Sequence, residues 1–255
     1  MNRSKLAKIL GRIPLDKWDE IVRQEPEWIF MKEFLKPFGF GKFSVLMVMA
    51  GLNDFQLKGK AEMAYWPRLK DHLKKKLIPA NLNEMKDILI EFYRDEKKAE
   101  LKINRVYRFM TSQLAERLWR SRPIDVSRDF LDIWRDLANT MRQPLEAKTI
   151  VFAMKCLGIT LLMVGETSFN FEEIPIPVDF RVKNFSKRLG VYGDEEIRGF
   201  WKNVLETIRD EKPINMIHLD SLIWQIGSLS NLEILKYFRA LKLENIGREL
   251  LDVIR

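Results

Sequence analysis

Apolar residues recur at helical spacing along almost the whole chain, and no segment alternates strictly between apolar and polar residues as a half-buried strand would. The clearest helix is Ile197, Phe200, Trp201, Val204, Leu205 and Ile208, at positions i, i+3, i+4, i+7, i+8 and i+11. Asp194, just after Gly193, is the expected N-cap for it. Met85, Ile88, Leu89 and Phe92 repeat the pattern behind Asn83, another good cap. Proline and glycine are dispersed, with no internal repeat, no low-complexity segment and no long linker. The pattern predicts ten or more short-to-medium helices joined by tight turns. One stretch differs from the rest: Leu145 to Val164 is apolar nearly all round. A helix of that kind is central and buried. Pro144 suits its first turn, and Gly165 suits its end.

The chain has 255 residues, enough for one large domain or two intimately packed lobes. Its single cysteine, Cys156, excludes an intramolecular disulfide framework and a zinc site of the Cys-cluster type. With only His72 and His218, a histidine metal site is not expected. The start, Met1-Asn2-Arg3-Ser4-Lys5, leads into no long apolar run, and no segment has about 18 consecutive apolar residues. The expectation is a soluble, cytoplasmic protein with no membrane association. Lys plus Arg number 44 and Asp plus Glu 36, a net charge of +8. That balance fits a polyanionic partner, but basic proteins without one are common.

Three constellations could carry chemistry. Lys148, Phe152 and Lys155 are spaced i, i+4, i+7 on one face of the apolar helix. Lysines there are costly to bury, and desolvation, the helix's positive end and a neighbouring cation would favour a neutral amine at Lys148. Such an amine is suited to Schiff-base chemistry. By spacing alone, snorkelling of both lysines to water is the commoner arrangement. In Ile174-Pro175-Ile176-Pro177-Val178-Asp179 the prolines enforce an extended entry, and helical spacing resumes with Val182, Phe185 and Leu189. Asp179 therefore stands at or near an N-cap, where backbone N–H groups keep a carboxylate ionised. It is either a simple cap or a fixed negative charge for a developing cation. Arg181, Lys183, Lys187 and Arg188 follow as a phosphate-facing or solvated face. Asp220 and Trp224 are i, i+4, a carboxylate one turn from an aromatic plane, which fits either a planar ring ligand or core packing. His218 beside them reads as a turn or capping residue rather than a base. Lys74-Lys75-Lys76 reads as a solvated helix face, with a phosphate contact as the other possibility. The absence of a Gly-rich phosphate loop, nucleophile elbow or zinc-ligand spacing argues against a nucleotide cofactor or a metal.

Taken together, Glu146-Ala147-Lys148-Thr149-Ile150-Val151-Phe152, Ile174-Pro175-Ile176-Pro177-Val178-Asp179-Phe180-Arg181-Val182 and His218-Leu219-Asp220-Ser221-Leu222-Ile223-Trp224 resemble the archaeal 8-oxoguanine DNA glycosylase/AP lyase family known as AGOG, a divergent branch of the helix-hairpin-helix DNA glycosylases. The resemblance is dense from Leu137 to Gly227. It is thinner over the N-terminal half, as at Leu57-Lys58-Gly59-Lys60 and Tyr65-Trp66. It implies an all-α, two-lobed helical bundle with a cleft between lobes. The central lobe would run over roughly 70–190 with the hairpin at 138–144, and 1–69 plus 191–255 would form the second lobe. It implies a monomeric, cofactor-free enzyme acting on DNA that contains 8-oxoguanine, removing the base and nicking the strand by β-elimination. It assigns Lys148 as the Schiff-base nucleophile and Asp179 as the catalytic carboxylate. Phe152, Lys155, Asp220, Trp224, Trp66 and Glu27 fall around the extruded base. Two departures stand out. The hairpin lacks the Gly-x-Gly of the wider superfamily, and Glu27 follows Pro26 where a family member carries Gln, which leaves Gln24 as the alternative contact. The competing readings are a non-enzymatic nucleic-acid-binding module, a helical interaction scaffold, and a glycosylase for a different damaged base.

Overall fold

The structure is a computed structural model and describes residues 3–210 and 212–254. Met1 and Asn2, the first residues of the N-terminal segment expected to carry no leader, lie outside the described residues. Sixteen α-helices account for the periodic segments, and the described residues contain no strand. In chain order they are α1 (Arg3–Gly11), α2 (Leu15–Arg23), α3 (Pro26–Phe38), α4 (Phe40–Leu52), α5 (Trp66–Lys74), α6 (Leu82–Tyr93), α7 (Ala99–Met110), α8 (Gln113–Arg120), α9 (Pro123–Arg128), α10 (Phe130–Met141), α11 (Lys148–Met163), α12 (Phe180–Arg188), α13 (Asp194–Arg209), α14 (Met216–Ile226), α15 (Asn231–Ala240) and α16 (Glu244–Leu251). A single π-helical turn, Ala61–Tyr65, leads into α5.

The helices fall into two compact units. One takes the chain from Pro26 to Glu173, and the other takes the residues up to Glu25 and from Ile174 onward. The sequence-based boundaries near 70 and 190 are displaced for packing reasons. Helices α3 and α4 lie against α11, so the segment from Pro26 joins the central unit. Helix α12 lies against α13 and α14, so it joins the other.

In the Pro26–Glu173 unit, the apolar helix α11 packs chiefly on α4, a second helix buried on every side. Gly51 makes that approach possible: a Cβ there would stand 2.8 Å from Ala153 Cα and 2.9 Å from Cys156 Sγ. Two helices without a polar face can only shield each other, at about 1.5–3 kcal/mol per large side chain enclosed. Helix α11 ends as its sequence predicts. Gly165 adopts φ +79°, its N–H donates to Leu162 O at 3.1 Å, and Glu166 N–H donates to Leu161 O at 3.0 Å. It begins at Lys148 rather than at Pro144, with Ala147 as its N-cap. A buried polar seam runs through the same unit. Lys102, fully enclosed, stands 3.5 Å from Glu96 Oε2, and Arg68 donates to Glu96 Oε1 at 2.6 Å. The Tyr65 hydroxyl donates to Ala50 O at 2.8 Å and meets the Tyr93 hydroxyl at 2.8 Å.

In the other unit, α1 packs on α13 and α14 on α2. The predicted stripe of α13 is buried at Ile197, Trp201, Val204, Leu205 and Ile208, and Trp201 Nε1 donates to Ser186 Oγ at 2.9 Å. Two capping expectations shift by a residue or two. Gly193, at φ +78°, is the N-cap of α13, with Asp194 its first helical residue. Asn81, not Asn83, caps α6, accepting from Glu84 N–H at 3.0 Å. No helix is long and apolar enough to cross a membrane among the described residues.

Candidate active site

Helix α11 presents the lysine set. Lys148 is its first residue and is exposed, Phe152 is half-buried, and Lys155 is 1% exposed, its Nζ 5.9 Å from the centre of the Phe152 ring. The shared face is therefore real, but burial falls on Lys155 and not on Lys148. The reason is positional: Lys148 stands where the helix emerges from its turn, and Lys155 lies two turns deeper. The desolvation expected of Lys148 thus applies to Lys155.

The segment 138–144, where the hairpin was expected, spans the end of α10 and the start of that turn. Helix α10 ends in a two-bond C-cap, with Gln143 N–H on Ala138 O and Arg142 N–H on Asn139 O, both at 3.0 Å. Arg142 takes the left-handed position, φ +52°, where a glycine is the usual choice. Two arginines of α7 hold the turn. Arg108 Nη1 donates to Met141 O at 3.0 Å. Arg105 donates to Gln143 Oε1 at 3.3 Å and to Thr149 Oγ1 at 3.0 Å. Sequence reasoning passed over both, because an i, i+3 pair of arginines on an amphipathic helix looks like any solvated face. Only the fold turns Arg105 inward.

Trp66 and Glu27 belong to the same unit. Trp66 opens α5 fully buried, its indole N–H donating to Asp54 Oδ2 at 3.1 Å and its ring edge-on to Tyr65. Glu27 lies in the first turn of α3 and is 2% exposed, whereas Gln24 is exposed. Of the two alternatives for the N-terminal contact, only Glu27 is enclosed.

The other unit presents the carboxylates. Ile174, Ile176 and Val178 are buried, so the extended prolyl segment is pinned by every second residue. It delivers Asp179 to the N-cap of α12, where Oδ1 accepts from Val182 N–H at 2.8 Å. The N-cap expectation holds, and the bond leaves Oδ2 for another partner. Phe180, the next residue, is 73% exposed. Asp220, 2% exposed, lies one turn before Trp224 on α14. The Arg181 guanidinium lies over the Trp224 ring, 3.9 Å from its centre, and so covers one face of the indole. Gly227 brings these elements together: a Cβ there would stand 2.5 Å from Arg181 O. His218 is the capping residue expected. It closes a box with Asn215 at the start of α14, and its Nε2 stands 3.6 Å from Asp19, holding that carboxyl below the usual carboxylate range.

Several of the surface cations singled out in the sequence are paired. Lys74 meets Glu33 at 3.3 Å, Lys76 meets Glu91 at 2.6 Å and Lys183 meets Asp194 at 2.7 Å. Arg188 is tied to Leu229 O and the Asn231 side chain. Of the Lys74–Lys76 run, expected as a solvated helix face, only Lys74 lies in α5, and Lys74 and Lys76 are salt-bridged. No group of three or more His, Cys, Asp or Glu residues suited to a metal ion occurs among the described residues.

The family model for the N-glycosylase/DNA lyase AGOG matches residues 7–252. The chain belongs to the AGOG family. A relative from Nanoarchaeum equitans, an N-glycosylase/DNA lyase, is 28% identical over 249 residues, 93% of this chain and 95% of its own. Those from Thermococcus kodakarensis and Methanopyrus kandleri are each 26% identical, over 72% and 70% of this chain and 67% and 70% of their own. Among solved structures, the 8-oxoguanine DNA glycosylase of Pyrobaculum aerophilum, crystallised with 8-oxoguanosine, superposes with a TM-score of 0.70 at 20% identity, covering 88% of this chain and 87% of that one. The structural likeness establishes the AGOG fold, and the family match establishes a DNA glycosylase/lyase.

Proposed function

We propose that this AGOG-family enzyme removes 8-oxoguanine from DNA and nicks the strand through an imine on Lys148, with Asp179 as its catalytic carboxylate. The observation that carries the reading is Lys148 itself. It is an exposed amine at the first position of a helix buried on every other side, in a chain of a glycosylase/lyase family. A nucleophile that must meet a sugar carbon needs an exposed tip on an immobile stem.

The target atom lies inside the duplex, so the nucleotide is extruded. Phe152 and Trp224 serve as stacking surfaces, Trp224 once Arg181 moves aside from the ring face it covers. 8-Oxoguanine carries an N7–H donor that guanine lacks, and Asp220 accepts from it. A buried acceptor rejects the analogue without the donor by a large factor. Lys155, Trp66 and Glu27 complete the base-recognition set. The Lys148 nitrogen attacks C1′ as the C1′–N9 bond breaks, and Asp179 stabilises the positive charge that builds on the sugar. The amine proton passes to the departing base, by way of Asp179. The C1′–O4′ bond then breaks, O4′ takes a proton from water, and the protonated imine forms. Water takes a C2′ proton, the C3′–O3′ bond breaks with the downstream strand leaving as its 5′-phosphate, and hydrolysis of the imine releases Lys148 from the sugar aldehyde. This chemistry runs on an amine and a carboxylate, in a monomer.

Borohydride trapping tests the assignment. A covalent adduct forms with 8-oxoguanine DNA and is absent with Lys148→Gln, and equal trapping by the variant removes Lys148 from the mechanism. A panel of lesion-bearing oligonucleotides, with guanine as control, tests the substrate. Preferential cleavage of another lesion would transfer the activity to that base.

A further inference from the structure

We infer that Arg105 is the positioning residue for Lys148. This rests on Lys148 being the nucleophile and adds what holds it in place. Lys148 is exposed, and the turn before it, 142–147, carries no regular helix to stiffen it. The Trp134 indole of α10 donates to Leu145 O at 3.0 Å within it, and the side chains that tie the turn to Thr149 come from α7. The Arg105 side chain is 8% exposed as a residue and lies against the Phe55 ring at 5.3 Å. Its two terminal nitrogens reach Gln143, on the near side of the turn, and Thr149, the residue after Lys148. Thr149 Oγ1 in turn donates to Gln143 Oε1 at 3.0 Å. The three side chains form a closed triangle across the base of the turn, and Arg108 ties its entry at Met141 O.

Arg105's hydrogen bonds among the described residues go to two neutral side chains. A buried guanidinium held this way is an expensive means of packing α7 against α11, because its charge is desolvated with no carboxylate bonded to it. Burial indeed pushes its pKa down to about 10. A leucine or methionine would fill the space at lower cost. What the guanidinium alone supplies is a planar, two-pronged donor that fixes the register between the turn and the first helical turn of α11. A shift of an ångström in a nucleophile costs far more in rate than in binding.

The test is single-turnover borohydride trapping on a duplex with a preformed abasic site, alongside the Kd for the same duplex and circular dichroism. The variants are Arg105→Met, Thr149→Val, Thr149→Ser, Arg105→Met with Thr149→Val, and Lys148→Gln. Arg105→Met slows trapping at least tenfold with the Kd within twofold of wild type. Thr149→Val slows it several-fold, Thr149→Ser restores it, and the double variant is no slower than Arg105→Met, since the two groups act as one unit. A folded Arg105→Met that traps at the wild-type rate overturns the proposal. If Arg105→Met does not fold, wild-type trapping by Thr149→Val overturns it, and so does an equal loss of trapping and affinity. Lys148→Gln separates the two readings, because trapping by that variant overturns the nucleophile whatever Arg105 does.

Discussion

The unit from Pro26 to Glu173 holds its candidate catalytic group by side chains, and the unit built from the two ends of the chain holds its group by backbone. Lys148 is a long, exposed side chain on a helix whose other faces are apolar, and its turn is gripped by Arg105 and Arg108. Asp179 is a short side chain clamped by the N–H of Val182 and delivered by an extended segment with every second residue buried. The difference follows from the chemistry. A nucleophile must travel to a carbon, so only its base can be fixed. A carboxylate that stabilises charge acts where it stands, so it can be fixed at its own oxygen.

The largest expected effect strikes the side-chain-held unit. Lys102→Ala leaves Glu96 buried beside Arg68 alone and opens a cavity, so thermal or denaturant unfolding should show a loss of about 3–5 kcal/mol. A loss below 1 kcal/mol would mean that the apolar contact of α4 with α11 holds this unit without its polar seam. Next comes Asp179→Asn. Asparagine caps as well as aspartate, so stability is unchanged while the single-turnover rate falls roughly 10²–10³-fold, the size typical of a lost electrostatic partner. Asp179→Ala falls in rate by as much and also loses about 1 kcal/mol of stability as the cap goes. If the Asn and Ala variants are equally stable, the cap is not what fixes Asp179.

The close glycines give a smaller, paired test. Gly51→Ala and Gly227→Ala each push a methyl into neighbouring backbone, Ala153 Cα in one and Arg181 O in the other, and each should cost about 1–3 kcal/mol. Gly227→Ala should in addition lower the turnover of lesion DNA at saturating DNA, since it displaces the helix start that carries Asp179. Unaltered turnover would show that α12 is positioned from its prolyl side only. The smallest effect is in acid. Asp19 is held below the usual carboxylate range by His218, so its contribution is present above the ordinary carboxylate value near 4 and is lost as pH falls through its own lower value. Asp19→Asn should therefore flatten the acid limb of stability against pH without moving it near neutrality. An unchanged acid limb would remove His218 from the account.

Much of this was legible in the residues. The α13 stripe, the all-round apolar α11, the left-handed Gly165 and the capping Asp179 depend on neighbours within a few positions, and local periodicity and turn chemistry report such neighbours directly. Where a helix starts was less legible. Asn81 and Asn83 are equal as caps by type, and only the chain's path into α6 chose Asn81. The lysine face was legible as a face but not as a depth. Spacing placed Lys148 and Lys155 together, and burial separated them. Where the division of the chain falls was not legible. Whether Pro26–Leu52 joins the central helix depends on a close approach at Gly51, to residues about a hundred positions away.

The sequence by itself determined an all-helical chain, its central helix, its capped carboxylate and its AGOG motifs, because these are written in spacings of three, four and seven residues. The tertiary structure decided which lysine is exposed, that Arg181 lies on Trp224, that Lys74 and Lys76 pair with Glu33 and Glu91, and that Arg105 reaches across to Thr149. Each of these joins residues distant in the chain. Exposure and ion pairing depend on what the fold places opposite a side chain, and no local pattern carries that information.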